Sequence, residues 1–570
     1  MCGIFGYVGG GNATSIVFDG LKNLEYRGYD SWGIASMKSD KILIHKRVGK
    51  IGLSKLILGL SNVAIGHTRW ATHGGVTVAN THPHLDCGKS LAVVHNGIIE
   101  NYGALKSELQ NIGHKFTSDT DTEVFAHLVE EAMKSNDFVT AVKSSFVKIK
   151  GLNTLVVMNK EGDLVACKNG SSLVVGIDKS HAIYLSSDLP SLLGYTKNVA
   201  ILNDQEFVII QDGMLVSNHK LVQIDMEVNL ADKGAYPHYY LKEIHDQPSS
   251  LRRRFMGDQS QITEAKKILA QAKNVYAIGC GTAYYSMLLS TYLLSLHNNI
   301  QATAIPANEF ATFVHLLGPD SVVMVASQSG ETIDAIEVIR LSKFRGAKTI
   351  GLINVLGSTL SREVDLCISL SAGIEKAVVS SKAFSNMLCS IYLIAGHQHE
   401  LEITATSIRA LLESKFLVKQ LKNLARQLAS HHSLFVIGRG INYPLALEGA
   451  LKLKEISYLH AEGLAGGELK HGVIALIERG TPVFVIVGND VEKSSIISSA
   501  MELKARGAWI IGLSPTKEMV FDDWIQVPDL PITSPLVNII PFQLLGYYLA
   551  LEKKLDPDMP RNLAKSVTVK

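Results

Sequence analysis

The sequence predicts an α+β layered domain followed by two tandem doubly wound α/β domains. Three observations carry this. Residues 1 to about 215 hold short, sharply bounded β-type runs with helical patterns between them. From about residue 251 the pattern changes to repeated strand–loop–helix units, the signature of a mostly parallel sheet covered by helices. That second stretch also repeats itself. NVYAIGCG (274–281) matches SLFVIGRG (433–440), and RGAKTIGLI (345–353) matches RGAWIIGLS (506–514), at offsets of 159 and 161 residues, so one register fits both pairs.

Taken in order, strands are expected at ILIHKRVG, NVAIGHTRW, SLAVVHNGII, LNTLVVMN, AIYLSSD and EFVIIQDG, with helices at 101–112 and 122–134. These fill a first domain, 1–217. Residues 218–250 are polar, hold Gly234, Pro237 and Pro248, and read as a linker. The two α/β domains are placed at 251–410 and 411–555, with a tail at 556–570. The most apolar stretch, 536–551, contains Asn538, Pro541 and Gln543 and is shorter than a membrane span, so a buried helix is expected there.

Composition narrows the function. The chain has 570 residues, 46% hydrophobic and 19% charged, with a formal charge of +2. That balance excludes a dedicated nucleic-acid or membrane-surface binder, so neither partner is expected. Arg252, Arg253 and Arg254 form the one notable basic cluster and are expected on a solvated helix face. Six cysteines without CxxC spacing suit a reduced, cytoplasmic setting. MCGIFGYVGG has no basic n-region and no long apolar core, so no secretory signal is expected.

Cys2 follows the initiator Met directly. With Met1 removed, one residue would carry a thiol and an α-amine of pKa roughly 7.7–8.0, a base close to working pH. Read alone, Cys2 is equally a small residue opening a buried strand. Asn96-Gly97, at the end of an apolar run, offers an amide and an unhindered backbone N–H for a developing oxyanion. Arg69 in HTRWATHG suits bidentate capture of a carboxylate. Asp121 in SDTDTE suits an ammonium, or else caps the following helix. A metal bound by His67, His73, His82, His84 and Cys87 has no i,i+4 pair or CxxC to support it, and no metal is expected.

MCGIFGYVG, LEYRGYDSWG, HTRWATHG, HPH, VVHNGIIEN and TDTE together resemble the N-terminal-nucleophile glutamine amidotransferases. The resemblance implies that Cys2 attacks a glutamine amide. It implies that Asn96 and Gly97 form the oxyanion hole, and that Arg69, Thr72, His73 and Asp121 hold the amino-acid end of glutamine.

In the second half, SVVMVA runs into Ser327-Gln328-Ser329-Gly330-Glu331-Thr332 and then a helix. Hydroxyls and free N–H groups at a helix N-terminus suit a phosphate monoester. A plain N-cap and turn is the other reading. The matching stretch of the second copy, Val487-Gly488-Asn489-Asp490, has no hydroxyl cluster, which favours a site over a requirement of the fold. Gly279-Cys280-Gly281 also follows a strand, but Tyr284 stands where a dinucleotide fingerprint needs glycine. Glu448, Lys452 and Glu455 fall at i, i+4 and i+7 on one helical face. They could move protons between adjacent sugar carbons or form a solvent-facing ladder of ion pairs. His471 adds an imidazole, the side-chain type suited to acid–base exchange at neutral pH. Lys565, in PRNLAKSVTVK, is chemically able to form a Schiff base or is a solvated tail residue.

VASQSGETID, SSKAF, ALEGALKLKEISYLHAE, GELKHG and PRNLAKSVTV resemble, nearly end to end and in order, the glucosamine-6-phosphate synthase family. That resemblance implies an αββα glutaminase sandwich followed by two flavodoxin-like sugar isomerase domains. It implies conversion of D-fructose 6-phosphate and L-glutamine to D-glucosamine 6-phosphate and L-glutamate, the entry to UDP-N-acetylglucosamine, with no cofactor. Thr282, Ser327, Gln328, Ser329 and Thr332 would grip the phosphate, and Val378, Ser380 and Glu448 would lie along the sugar. Glu455 would be the C1–C2 base, Lys565 the Schiff-base lysine and Lys452 its proton partner. His471 would open the sugar ring from the partner subunit of a homodimer. Trp70 would gate an internal ammonia channel, and Arg27 and Tyr29 would couple the two reactions. Departures from the family pattern are Ala283, Ile374, and Gly463 and Gly466, which are expected to loosen the segment before His471. A phosphoribosyl-transferring relative would need a diphosphate loop with paired acids, which this sequence lacks.

Overall fold

A computed structural model describes residues 2–568 except 53, 57 and 225–232. Its chain contacts divide it into two units, Met1–Leu230 with Ala564–Lys570, and Ala231–Leu563.

The first unit is built on two antiparallel sheets. The eight-stranded sheet runs, edge to edge, Val222–Gln223, Asn198–Ile201, Val174–Ile177, Ile183–Ser186, Gly3–Val8, Val63–Arg69, Ser31–Lys38, Lys41–Val48. The six-stranded sheet runs Met214–Leu215, Phe207–Gln211, Leu164–Asn169, Asn153–Asn159, Leu91–Gly97, His84–Leu85. Alternation along each strand explains the layering. Ile4 and Val8 point into one core with Ala92, Val94, Val156 and Met158 of the facing sheet. Phe5 and Tyr7, one residue over, pack beneath helix Ala13–Leu24 with Val17 and Leu21. Leu91, Val93, Leu155 and Val157 do the same beneath helices Tyr102–Asn111, Thr122–Ala132 and Phe138–Lys148. Helix, sheet, sheet and helix stack as an αββα sandwich. Both faces of each sheet are buried, which is why the central strands read as apolar runs and not as alternating ones.

The second unit holds two five-stranded parallel sheets. One runs Ala302–Pro306, Asn274–Gly279, Ser321–Ser327, Lys348–Ile353, Leu366–Ser369. The other runs His460–Ala465, Ser433–Gly438, Pro482–Ile486, Trp509–Ser514, Asp523–Gln526. Each has the flavodoxin-like order 2-1-3-4-5, so the duplication read in the sequence is a duplication of fold. It extends to backbone detail. Gly279 and Gly438 end the first strand of each copy, and a Cβ there would lie 2.6 Å from the carbonyl carbon of Ala283 and 2.1 Å from the Asn442 carbonyl oxygen. Gly281 and Gly440, two residues on, have φ of 54° and 55°, a left-handed conformation open to glycine.

Part of the expected linker is structured. Residues 225–232 lie outside the described ones, but helices Tyr239–His245 and Gln247–Met256 follow. Tyr240, Ile244 and Leu251 are fully buried in the core of the second unit. Pro248 sits in the first turn of its helix, where a missing N–H is harmless, so it starts the helix instead of breaking the chain. The arginine run departs from expectation too. Arg252 does pair with Glu402, but Arg254 is buried and donates from Nε to Ser390 Oγ at 2.9 Å.

Helix Ser534–Glu552 is the one described helix long and apolar enough to cross a membrane, and it is packed inside the second unit. Its buried Gln543 accepts from Gln247 Nε2 at 2.7 Å. Gly463 and Gly466 do not loosen their segment. A Cβ at Gly463 would lie 2.6 Å from the Ala446 carbonyl oxygen, and one at Gly466 would lie 2.5 Å from Ile496 Cδ1. These glycines let strand His460–Ala465 and its exit pack tightly.

Candidate active sites

In the first unit Cys2 stands half-buried at the mouth of the innermost strand, Gly3–Val8. The Trp70 backbone N–H donates to its Sγ at 3.3 Å, and the thiol donates to the Trp70 carbonyl at 3.5 Å. Burial pushes the thiol up from its ordinary value, opposed by the Trp70 N–H and by the charges of Arg69 and Arg27. Met1, whose removal would free the α-amine, lies outside the described residues.

The Cys2 carbonyl is held by two donors, Arg27 Nε and Asn96 Nδ2, each at 3.2 Å. Asn96 is oriented from behind. Its Oδ1 lies 3.2 Å from His67 Nε2, which also meets the His95 carbonyl at 2.8 Å. Two acceptors at one ring nitrogen place the His67 proton on Nε2, and the His82 ring packs edge-on against it with Nδ1 3.0 and 3.2 Å from the two His67 nitrogens. Burial holds both rings neutral, with His67 lowered to about 3 and His82 well below its ordinary value. This histidine pair fixes which way the Asn96 amide points, and sequence reasoning had considered it only for metal. Gly97 follows with φ of 145°, and a Cβ there would lie 2.3 Å from the Leu152 carbonyl oxygen.

Arg69 is 2% exposed and donates to the carbonyls of His73, Gly74 and Gly75 at 2.5, 3.0 and 3.1 Å. It therefore shapes the loop that bears exposed Thr72 and half-buried His73, whose ring meets Tyr102 edge-on at 5.3 Å. Asp121 precedes helix Thr122–Ala132 but does not cap it with its side chain. Its Oδ2 accepts instead from the Ile99 N–H at 2.7 Å, tying the helix to the chain just past Asn96-Gly97. Trp70 and Tyr29 meet edge-on at 5.9 Å. Arg27 is buried with Asp188 at 4.0 Å.

The second unit gathers another set. The strand order reverses about Asn274–Gly279, and the crevice beyond this strand and Ser321–Ser327 is where doubly wound sheets hold ligands. Ser327 Oγ accepts from the Gly330 N–H at 2.9 Å, and Ser329 Oγ from the Glu331 N–H at 3.1 Å. These bonds curl the loop. Gly330 has φ of 66°, and a Cβ would lie 1.9 Å from Ser358 Oγ. Buried Glu331 accepts from the Thr359 N–H and hydroxyl at 2.9 and 2.8 Å. Thr332 stands at the N-cap of helix Ile333–Phe344 and makes no side-chain capping hydrogen bond. Gln328 is half-buried in the same turn. The second copy fills this place differently. Arg439 Nε pairs with Glu492 at 2.7 Å, and Asp490 accepts from the Glu492 N–H at 2.9 Å. Acid stands there instead of hydroxyls, which disfavours a phosphate.

Helix Asn442–Ser457 carries the ionisable face, and it is not a solvent-facing ladder. Lys452 is fully buried. Its Nζ lies 3.2 Å from Glu448 Oε1 and 2.8 Å from Glu455 Oε2, and donates to Thr282 Oγ1 at 3.0 Å and the Ser380 carbonyl at 3.2 Å. Thr282 donates to Glu448 Oε1 at 3.1 Å, so its hydroxyl serves the ion cluster. Burial drives the Glu448 carboxyl up against the pull of Lys452. The two carboxylates outweigh burial at Lys452 and keep it charged. Glu448 Oε2 is buried without a hydrogen-bond partner.

Val378 donates its N–H to the Asp558 carbonyl at 3.0 Å, and Ser380 Oγ to Glu375 Oε2 at 3.3 Å. Glu375 was missed in the sequence. Its Oε1 accepts from the N–H groups of Ser381 and Ala383 at 2.9 and 3.1 Å, fixing the chain that offers the Ser380 carbonyl to Lys452. Only an acid shortly before SSKAF hinted at it. Tyr240 was missed as well. Its buried hydroxyl has no partner, and burial with the nearby charges of Glu455, Glu448, Glu375 and Glu243 pushes it well up.

His471 is exposed, on the short turn Glu468–His471, apart from the hydrogen-bonded cluster around Lys452. The tail is anchored in the second unit by Asp558, which accepts from the N–H groups of Tyr239 and Tyr240 at 2.9 and 2.8 Å. Lys565 belongs to the last stretch, grouped with the first unit, where Ser171 and Thr568 hydroxyls meet at 3.2 Å.

Comparison with known proteins agrees with this division. A glutamine amidotransferase domain model matches residues 67–194, and the SIS domain model matches 268–396 and 427–553. The C-terminal domain of glucosamine-fructose-6-phosphate aminotransferase from Francisella tularensis superposes with a TM-score of 0.53 at 28% identity, covering 57% of this chain and all of that one. Tagatose-6-phosphate ketose/aldose isomerase from Escherichia coli shares the fold at a TM-score of 0.51 and 16% identity, covering 57% of this chain and 96% of that one. Proteins named glutamine–fructose-6-phosphate aminotransferase (isomerizing) from Pyrococcus horikoshii and Thermus thermophilus are each 38% identical over the full length of both chains. The chain, with its N-terminal thiol before an amide-bearing strand end and its hydroxyl loop beside a buried Lys–Glu cluster, belongs to the glutamine–fructose-6-phosphate aminotransferase (isomerizing) family.

Proposed function

We propose that this chain moves the amide nitrogen of L-glutamine onto D-fructose 6-phosphate, forming D-glucosamine 6-phosphate and L-glutamate, and that its two units divide the work as follows.

In the first unit Cys2 Sγ attacks the glutamine amide carbon. The thioester forms as ammonia leaves, and water then releases glutamate. Asn96 Nδ2 and the Gly97 N–H receive the oxyanion. The support is the His82–His67–Asn96 chain, which presets the amide before substrate arrives, since preorganised donors need no reorientation during reaction. Asp121 takes the glutamine ammonium. Arg69, with Thr72 and His73 on the loop it shapes, takes the carboxylate. Arg27, Tyr29 and Trp70 surround the Cys2 backbone and thiol, which suits them to couple sugar binding to glutaminase activity and to gate the passage of ammonia.

In the second unit Ser327, Gln328, Ser329 and Thr332 hold the phosphate at the N-terminus of helix Ile333–Phe344, where the helix dipole and free N–H groups favour an anion. Val378, Ser380 and the unpaired Glu448 oxygen face the sugar, and Thr282 keeps Lys452 and Glu448 in register. Lys565 forms the Schiff base with the C2 ketone and water leaves. Ammonia from the first reaction then displaces the lysine amine to give the C2 imine. Lys452 exchanges protons with the lysine nitrogen, and Glu455 carries a proton from C1 to C2. The single observation that carries this assignment is the burial of Lys452 against two carboxylates. Lys452 and Glu448 lie wholly out of water beside a partly exposed Glu455, and burying two charges in this way is costly to stability, which supports their retention for function.

His471, exposed on its turn, opens the sugar ring of a second copy in a homodimer. The six free cysteines suit a reducing, cytoplasmic setting.

The test is Cys2→Ala. Glutamine-dependent synthesis of the amino sugar should vanish while isomerisation of fructose 6-phosphate to glucose 6-phosphate persists. Full glutamine-dependent synthesis in that variant would sink the assignment.

A further inference from the structure

Neither reaction uses a four-residue cluster in the first unit. Cys87 lies in the turn before strand Leu91–Gly97. His114 follows helix Tyr102–Asn111, and His127 and Glu130 sit three apart on one face of helix Thr122–Ala132. Cys87 Sγ lies 3.7 Å from His114 Nδ1 and 3.6 Å from His127 Nδ1. Glu130 Oε2 lies 2.9 and 3.0 Å from the same two nitrogens. All four donor atoms fall within 4.8 Å of one another.

We propose that Cys87, His114, His127 and Glu130 form a closed tetrahedral site for zinc. The spacing fits. Zinc bonds of roughly 2.3 Å to sulfur and 2.0–2.1 Å to nitrogen at tetrahedral angles separate S from N by about 3.6 Å. The nitrogen–carboxylate pairs would have to open by only a few tenths of an ångström, to about 3.3 Å, once a metal replaced the shared protons.

The outer groups fit as well. Metal-bound histidines usually present their other nitrogen to a carboxylate, which sets the tautomer. His114 Nε2 lies 3.0 Å from Glu131, and His127 Nε2 faces Glu123 at 3.8 Å, so both rings turn Nδ1 inward. The Lys115 N–H donates to Cys87 Sγ at 3.4 Å. A mixed S, N, N, O set suits a borderline-soft ion, and four protein ligands leave no open position.

The site would be structural. It joins the turn leading to Asn96 and Gly97, and the chain after helix Tyr102–Asn111, to the helix that starts beside Asp121. The expectation of no metal rested on His67, His73, His82, His84 and Cys87. Of these, His67 and His82 serve Asn96, His73 meets Tyr102 edge-on, His84 bonds Thr120 at 3.0 Å, and Cys87 alone joins this cluster.

The experiment uses the full-length protein, stripped with a chelator and reloaded with zinc or cobalt(II). One zinc per chain should survive gel filtration. The cobalt form should show a near-ultraviolet thiolate-to-metal band and the visible bands of tetrahedral cobalt. Cys87→Ser, at an exposed position, should fold, lose the near-ultraviolet band and weaken zinc binding at least tenfold. Glu131→Gln, which within the cluster touches only the outer nitrogen of His114 and otherwise pairs with exposed Lys134, should weaken it about tenfold. Substoichiometric zinc in the reloaded protein, or equal zinc retention by Cys87→Ser, overturns the proposal.

Discussion

Lys452 and Glu448, one helical turn apart, form an ion pair at 3.2 Å with both side chains wholly out of water. Removing one partner strands the other charge, at a cost of about 3–5 kcal/mol. Lys452→Met should therefore lower the stability of the second unit by that order in urea denaturation. Adding Glu448→Leu should recover part of the loss, since no buried carboxylate would then lack its cation. Equal stability of the single variant and the parent would show the pair to be solvated.

Asn96→Ala should reduce glutamine hydrolysis about 100–1,000-fold in kcat, the usual loss for one oxyanion donor. Gly97→Ala should do at least as much by a different route, because its Cβ would meet the Leu152 carbonyl at 2.3 Å. Glutamate release by each variant measures this. A near-parental rate for Asn96→Ala would remove that residue from the oxyanion hole.

Gly330→Ala places a Cβ 1.9 Å from Ser358 Oγ and must distort the hydroxyl loop. The KM for fructose 6-phosphate should rise at least tenfold while basal glutaminase activity without sugar is unchanged. An unaltered KM would show that the loop does not hold the phosphate.

Much of this was legible in the sequence, and the reasons differ from place to place. The α+β layering and the doubled sheets announce themselves through apolar runs bounded by turns and through the repeated strand-to-glycine junctions at Gly279 and Gly438, whereas the αββα order was implied only by the family resemblance. Helix Tyr102–Asn111 lies one residue inside the expected limits at each end. The helices after residue 238 were hidden because Pro237 and Pro248 read as breaks, whereas Pro248 occupies a first turn. Spacing put Glu448, Lys452 and Glu455 on one face but could not say whether that face was wet. Burial decides this, and burial depends on Thr282 and Ser380, which are remote in sequence. Cys87, His114, His127 and Glu130 were illegible for the same reason, since only one pair of them is local.

The histidines behind Asn96 make stability pH-dependent. His67 is lowered to about 3 and His82 well below its ordinary value, so both are neutral in the fold but titrate near 6.5 once unfolded. The unfolded chain binds more protons, so their contribution is fully present above about pH 6.5 and falls as pH drops, by about 1.4 kcal/mol per unit for each ring. With Trp509 and Trp524 replaced by Phe, the fluorescence of Trp32 and Trp70 reports the first unit. Its unfolding midpoint should fall between pH 7 and pH 5, and a pH-independent midpoint would contradict the neutral assignment.

The origin of the nitrogen tests the whole scheme most directly. The protein is supplied with fructose 6-phosphate, glutamine carrying ¹⁵N in its amide, and an excess of unlabelled ammonium, and the sugar product is analysed by mass spectrometry. The account predicts glucosamine 6-phosphate with ¹⁵N at C2, undiluted by the bulk ammonium and absent in Cys2→Ala. Amino sugar labelled only in proportion to the bulk pool, or none at all, would contradict it.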